Sequence, residues 1–482
     1  MIPVFARIFV GPLAFAIVQL IPLHGLSPAA HVAISCYAWV LAWWVAMPIP
    51  WAATGFLPLA ILPVAGALSF GDAIGFYGQR ILPFVMGVML FGHAFNKHGL
   101  ARRLAMTVLS IPGIANSGAR LVLMILIVSA VVSSVVDDAA TVAIMMPIAL
   151  SVARFAAEAF SRNPRQDRFS TPSFTPRLTQ ASCLAVLYGA SAGGMATPAG
   201  VPFNPITISL SEQLTGYSVT FAQWTLTGII LTLATIPAYY AVLAWMSPPE
   251  VKSIKDGAAY FREQKKTLGP LGRGEKNVLF VLIIMIVLWL LPAFITVRVL
   301  DIWYVPVLAM LLLFLLPVDA NEMTLTSRDL EGGISWNVLF LVVSGTAIAG
   351  MLGRLGVTEW LGGMVARSVS ASMLPWFAGL MTPLIAHVGS GTATSTMMAT
   401  VLFPVAKQLG SNPTVLARII AGTALVVTFP WAGAAAGTAF ASGAVSIGAM
   451  FRIGIVATVV TVIVITVLSI VLVPALGAFT AP

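Results

Sequence analysis

The chain is crossed again and again by stretches of about twenty residues that carry almost no charge, the length of helix that spans a bilayer. Such runs lie near 8–23, 30–47, 50–68, 80–95, 179–196, 220–246, 277–297, 301–318, 336–353, 413–429 and 452–476. The expected fold class is an all-α polytopic membrane protein with about eleven transmembrane helices. Only 9% of the 482 residues are charged. A soluble protein has roughly 25%, so an ordinary soluble enzyme, a disordered chain and a disulfide scaffold are excluded. The net charge is +9, from 25 Lys and Arg against 16 Asp and Glu, and most of the excess falls in two loops. Basic loops between apolar runs usually face the cytoplasm, so the charge reads as orientation and no nucleic-acid partner is expected.

Loop 158–178 holds Arg162, Arg165, Arg168 and Arg177. Loop 249–276 holds Lys252, Lys255, Arg262, Lys265, Lys266, Arg273 and Lys276. Both read as solvated cytoplasmic segments, with a lipid-binding basic patch as the alternative. Lys97, Arg102 and Arg103 fit the same side if 119–157 enters and leaves by one face. Arg7 precedes an apolar stretch to Leu23 with no small-residue cleavage site, so a retained first helix is expected and not a signal peptide. Cys36 and Cys183 lie in apolar runs and read as buried small hydrophobes.

Four further apolar segments, 119–135, 139–157, 373–388 and 395–409, are short or interrupted. Such segments suit re-entrant hairpins, whose free backbone groups must line a cavity. They belong to a repeat at a constant offset of 257, which places Ser133 on Ser390, Pro147 on Pro404 and Ala149 on Ala406. SSVVDDAATVAIMMPIA thus lies over SGTATSTMMATVLFPVA without a gap, and GVPFN at Gly200 lies over GTAFA at Gly437. About seven crossings separate the Lys97–Arg103 loop from its partner near Arg354–Arg367, an odd number that inverts the second copy. Inverted repeats with broken helices mark a secondary transporter with its site at the midplane. The expected division is N-terminal helices at 1–47, a first inverted repeat at 48–248 with its tip near 137–139, a basic linker at 249–276, and a second inverted repeat at 277–482 with its tip near 394–396.

Asp137 and Asp138 stand side by side just before an apolar helix. A carboxylate at bilayer depth costs about 2.5–3.5 kcal/mol or more unless solvated or paired. Two readings are open: a proton or cation site at a hairpin tip, titrating as a pair, or a helix end at the aqueous edge. The matching tip, Thr394-Ser395-Thr396, is hydroxyl-rich and uncharged, with Ser390 and Thr392 one turn earlier. His93, His98 and His387 read as packed or interfacial residues, and His387 lies nearest a tip. No HExxH, CxxC or P-loop occurs, and an enzyme is not expected.

These motifs resemble the divalent anion:sodium symporter family within the ion transporter superfamily. That family has Ser-Asn-Thr at each tip, then Ala-Thr and a proline. Here Asp137-Asp138-Ala139 with Ala140-Thr141 and Pro147 fills the first motif, and Thr394-Ser395-Thr396 with Pro404 fills the second. Gly193-Gly194, Thr197-Pro198 and Gly200-Val201-Pro202-Phe203-Asn204 match the run after the first hairpin, reduced to Gly437-Thr438-Ala439-Phe440-Ala441 in the second half. The resemblance implies two re-entrant hairpins, an elevator-type transporter, a homodimer and a bacterial inner-membrane location. It implies ion positions at Ser133, Asp137, Asp138 and Gly200 and at Ser390, Ala393, Ser395 and Gly437. Substrate contacts would fall on Asp138, Ala139, Val201, Pro202, Thr394, Ser395, Thr396, Thr438 and Ala439. Both motifs have lost their Asn, and the first has gained two acids that would repel a dianion. A proton or a sodium ion on the pair would remove that repulsion.

Three functions therefore stand at the sequence level. The first is a secondary transporter of a small organic or inorganic anion, coupled to protons or sodium through Asp137 and Asp138. The second is a cation:proton antiporter on the same pair. The third is a membrane scaffold or receptor without transport. Beyond a coupling sodium ion or proton, no cofactor is expected.

Overall fold

The computed structural model describes residues 4–113, 116–161, 176–252, 257–295, 301–426 and 428–476. The expectations at Arg162, Arg165, Arg168 and Lys255 lie outside the described residues. Among the described residues everything regular is helical, apart from one isolated antiparallel bridge, Pro317–Met323. Five described helices are long and apolar enough to cross a membrane: Pro28–Ala46, Asp138–Ala156, Phe221–Met246, Trp336–Arg354 and Ile447–Ala475.

Prolines and glycines shorten the others. The run at 50–68 divides into Trp51–Thr54 and Leu57–Val64, where Pro50, Pro58 and Pro63 each withhold a backbone donor. The run at 301–318 yields the eleven-residue helix Val305–Leu315. The run at 413–429 stops being helical after Ala424, and the chain resumes as helix at Ala434–Ala441. An equivalent break separates Pro176–Gly194 from Phe203–Thr215.

The offset of 257 reappears in local geometry. Helices Leu100–Leu109 and Val357–Ala366 start at matched positions, and each follows a glycine in the left-handed region, Gly99 at φ 78° and Gly356 at φ 77°. Only glycine adopts that backbone without a steric cost, so both halves turn a spanning helix into a short lateral one by the same device. Each half then has two helices joined by a tight turn: Gly118–Ser133 with Asp138–Ser161, and Leu374–Ala386 with Gly391–Gln408.

Small residues draw these parts together. Gly189 and Gly193 lie directly on the backbone carbonyls of Leu126 and Ala130, so no side chain fits between the first hairpin and the first broken helix. Without a hydrophobic drive between helices in lipid, such close backbone approach is what packs them. Cys36 and Cys183 are buried and unbridged.

Candidate functional site

Five helices of eight or more residues begin at one cavity of about 410 Å³: Asp138–Ser161, Phe203–Thr215, Trp336–Arg354, Gly391–Gln408 and Ala434–Ala441. Their first residues or N-caps line it, with Asp137 and Asp138, Phe203, Ser335, Ser390 and Gly433 among the walls. A helix start presents unsatisfied N–H groups and roughly half a positive charge. Pro202, Ser335, Ser390 and Gly433 cap their helices without any side-chain hydrogen bond. The first hairpin differs: the Ala139 N–H donates to Asp137 Oδ1 at 3.1 Å and to Asp138 Oδ1 at 2.8 Å. Both acids are half-buried. Neither this cavity nor the neighbouring one of about 360 Å³, which Asp137 also lines, has a Lys or Arg among its described walls; His93 is their one basic side chain.

The first tip and the first break are tied together. Thr197 Oγ1 donates to the Ser134 carbonyl at 2.5 Å. The buried Asn204 side chain donates to the carbonyls of Gly194 at 2.8 Å and Thr197 at 2.7 Å, which fixes the unwound segment. A methyl on Gly200 would stand 2.9 Å from the Ser133 carbonyl, so Ser133 and Gly200 meet backbone to backbone. Ser133 Oγ and Asn204 Oδ1 are buried without a hydrogen-bond partner. Oxygens gathered at an unwound helix are the donor set a sodium ion takes.

The second tip forms earlier than 394–396. Its turn is His387 to Ser390, and the helix is already under way at Gly391, which packs between the Phe203 ring and the Ala424 carbonyl. Ser390 therefore faces the cavity, whereas Ala393, Thr394, Ser395 and Thr396 are buried inside the helix and line neither cavity. Ser395 and Thr396 donate their hydroxyls to carbonyls four residues back, at 2.8 Å and 3.0 Å. Gly437, Thr438 and Ala439 sit one turn inside Ala434–Ala441 and likewise line neither cavity, while Gly433 to Ala436 do. Ala139 and Pro202 line both cavities and Val201 lines the smaller.

The histidines have structural partners. His387 Nδ1 donates to the Pro383 carbonyl at 2.7 Å, and the Trp431 indole donates to the His387 carbonyl at 3.1 Å, linking the second tip to the second break. His98 Nε2 donates to the Thr324 carbonyl at 2.9 Å. His93 Nε2 donates to Asp329 at 2.9 Å, and Lys97 pairs with the same carboxylate at 2.9 Å. Burial alone would raise the Asp329 pKa, but hydrogen bonds from Lys97, His93 and Thr326 outweigh it and hold the carboxyl well below its ordinary range.

Sequence reasoning missed Ser335 and Asn337 on the cavity wall and Arg418 behind the break. Arg418 is fully buried, donates to the carbonyls of Met195 (3.0 Å) and Trp224 and to Thr227 Oγ1 (2.7 Å), and lies over the Trp224 ring. An ionisable residue in the apolar run PTVLARIIAGTA was the signal that could have found it.

Over residues 4–478 the sequence matches the family described as the sodium:sulfate symporter transmembrane region. The chain belongs to this family. It is a membrane transporter and not an enzyme. Among its relatives is the sodium-dependent dicarboxylate transporter SdcS of Staphylococcus saprophyticus, 27% identical over 423 residues, covering 85% of this chain and 79% of the relative. SdcS of Staphylococcus aureus is 26% identical over 426 residues with the same coverage. The crystal structure of the Alcanivorax borkumensis YdaH transporter shares the fold, with a TM-score of 0.59, 13% identity and 99% of both chains covered.

Proposed function

We propose that this protein is a secondary active transporter of a small, carboxylate-like anion, coupled to sodium or protons through Asp137 and Asp138. The observation that carries the reading is the convergence of five helix N-termini on a cavity whose formal charges, among the described residues, are two carboxylates. Five partial charges of roughly +0.5 each are of the same order as the charge of the pair. Once a cation or proton neutralises the acids, the uncapped starts at Ser390, Gly433 and Ser335 are left to hold an anion by backbone N–H groups. Ion and anion then favour each other's binding, which is coupling. The names of the Staphylococcus relatives support sodium as the ion and a dicarboxylate as the cargo.

The oxygens around Ser133, Gly200 and Asn204 support the first ion position. In the second half, Ser390 with the turn before Ala434 is the better-placed counterpart, since Ser395 is committed to its own helix. The matched halves support inverted repeats at 48–248 and 277–482 joined by the basic linker, alternating access of the elevator type, a homodimer, and an inner-membrane setting with 249–276 cytoplasmic. A second reading, cation:proton antiport on the same acids, draws on the lack of any Lys or Arg among the described cavity walls.

Uptake into proteoliposomes separates them. Labelled succinate or sulfate accumulating under an inward sodium or proton gradient supports symport. Sodium-driven proton movement without any anion would overturn it in favour of the antiporter, and neither flux from folded protein would leave a scaffold.

A further inference from the structure

A third cavity, of about 540 Å³, lies at the cytoplasmic end of the first hairpin on the orientation given above. Four elements enclose it: the end of Ile81–Lys97, the lateral helix Leu100–Leu109, the hairpin helix Asp138–Ser161 and the linker helix Gly257–Thr267. Its lining has two kinds of wall. Arg102, Asn96 and Gln264 supply one guanidinium and two amides, and no acid is among its described walls. The Arg102 side chain makes no ion pair or hydrogen bond with a described residue, unlike its neighbour Arg103, which is held by Glu275 at 2.5 Å. Ser151 and Tyr260 add hydroxyls, and Met106, Ile144, Ile148, Val152 and Phe261 make an apolar wall, with Phe155 stacked on Tyr260 beside it.

We propose that this cavity binds an anionic phospholipid of the cytoplasmic leaflet, its phosphate on Arg102 and an acyl chain along Ile144 and Ile148. A small hydrated anion would gain nothing from the apolar wall, whereas an amphiphile satisfies both kinds of wall. The complementary charge is that of Arg102, since its neighbours Lys97 and Arg103 are already paired with Asp329 and Glu275. The lipid would bridge the lateral helix to the hairpin that carries Asp137. Asn96 lines both this cavity and the one around Asp137, so the occupied site adjoins the ion path.

The test is thermal stability of the full-length protein in neutral detergent, titrated with phosphatidylglycerol, phosphatidylcholine or glycerol phosphate. Wild type should rise in Tm with phosphatidylglycerol alone. Arg102→Gln should need about fivefold more of it for half the shift, the worth of one basic contact at an anionic surface. Arg273→Gln, an exposed cation outside the cavity, should behave as wild type. Equal lipid requirement in Arg102→Gln and wild type, an equal loss in Arg273→Gln, or a full shift with glycerol phosphate would each overturn the proposal. Should Arg102→Gln fail to fold, Ala143→Leu, which fills the cavity from its wall, should abolish the shift, and a retained shift would overturn the site. None of these readouts depends on transport, so this proposal and the transport reading fail separately.

Discussion

Asp137 and Asp138 share one backbone donor and one cavity, so neither can be described without the other. Adjacent carboxylates titrate as a pair, and uptake governed by them must follow pH. Asp138→Asn should therefore flatten the pH profile of initial uptake between about pH 5 and 8, with Asp137→Asn acting in the same direction. Profiles that keep their wild-type shape in both variants would remove the acids from coupling. Asp329 makes a contrasting case, because its partners stabilise the ionised form. Its folded pKa lies below the unfolded value near 4, so its stabilisation is complete above about pH 4 and fades as pH falls. Thermal melts of wild type and Asp329→Asn in detergent should differ by the same amount at pH 7 and pH 5, with the gap narrowed but not closed at pH 3. A gap as wide at pH 3 as at pH 7 would mean the side chain acts by packing instead.

At the scale of elements, the hairpins and breaks hold the site open where ordinary helices would close it. Asn204 is the brace, since its amide spans the carbonyls of Gly194 and Thr197 across the first break. Residues that orient ion ligands from behind typically change affinity 10–100-fold. Asn204→Ala should raise the sodium concentration for half-maximal uptake by about that factor, with a smaller effect on the maximal rate. An unchanged sodium requirement would detach the break from the ion. These elements were legible in different degrees. The hairpins could be read because Pro147 and Pro404 sit at matched positions in short apolar runs, and Gly99 and Gly356 then fall into the same left-handed turn. The exact start of the second helix was not readable, since Ser390 and Ser395 are equally good caps by residue type. Tertiary packing of Gly391 between Phe203 and Ala424 decides it, and that contact joins residues far apart in sequence. Ser335 and Asn337 escaped for the same reason, because a helix start acquires its meaning only from the four others that meet it.

Over the whole molecule, the helix Ile81–Lys97 lines the cavity beside Asp137 along its length, from Phe84 to Asn96, and has an ion pair at its start. Asn96 and His93 open onto the space beside Asp137 near its last turn. At its first turn, about 25 Å away along the axis, Arg80 binds Glu212 at 2.5 Å and Asp301 at 3.5 Å. Glu212 lies in the last turn of the helix that follows the first break, whereas Arg80 caps Ile81–Lys97 and Asp301 precedes Val305–Leu315, both outside the hairpins. If transport moves hairpins and breaks as one body past the remaining helices, this pair must part in each cycle. The bond itself adds little stability, because both partners are partly exposed. A covalent link has no such latitude. In the double variant Arg80→Cys with Glu212→Cys, a thiol-bridging reagent should abolish uptake and a reductant should restore it. Each single variant treated alike should keep transporting. Undiminished uptake by the bridged protein, with bridging verified on a gel, would mean that these helices travel together, and the moving body would have to be drawn elsewhere.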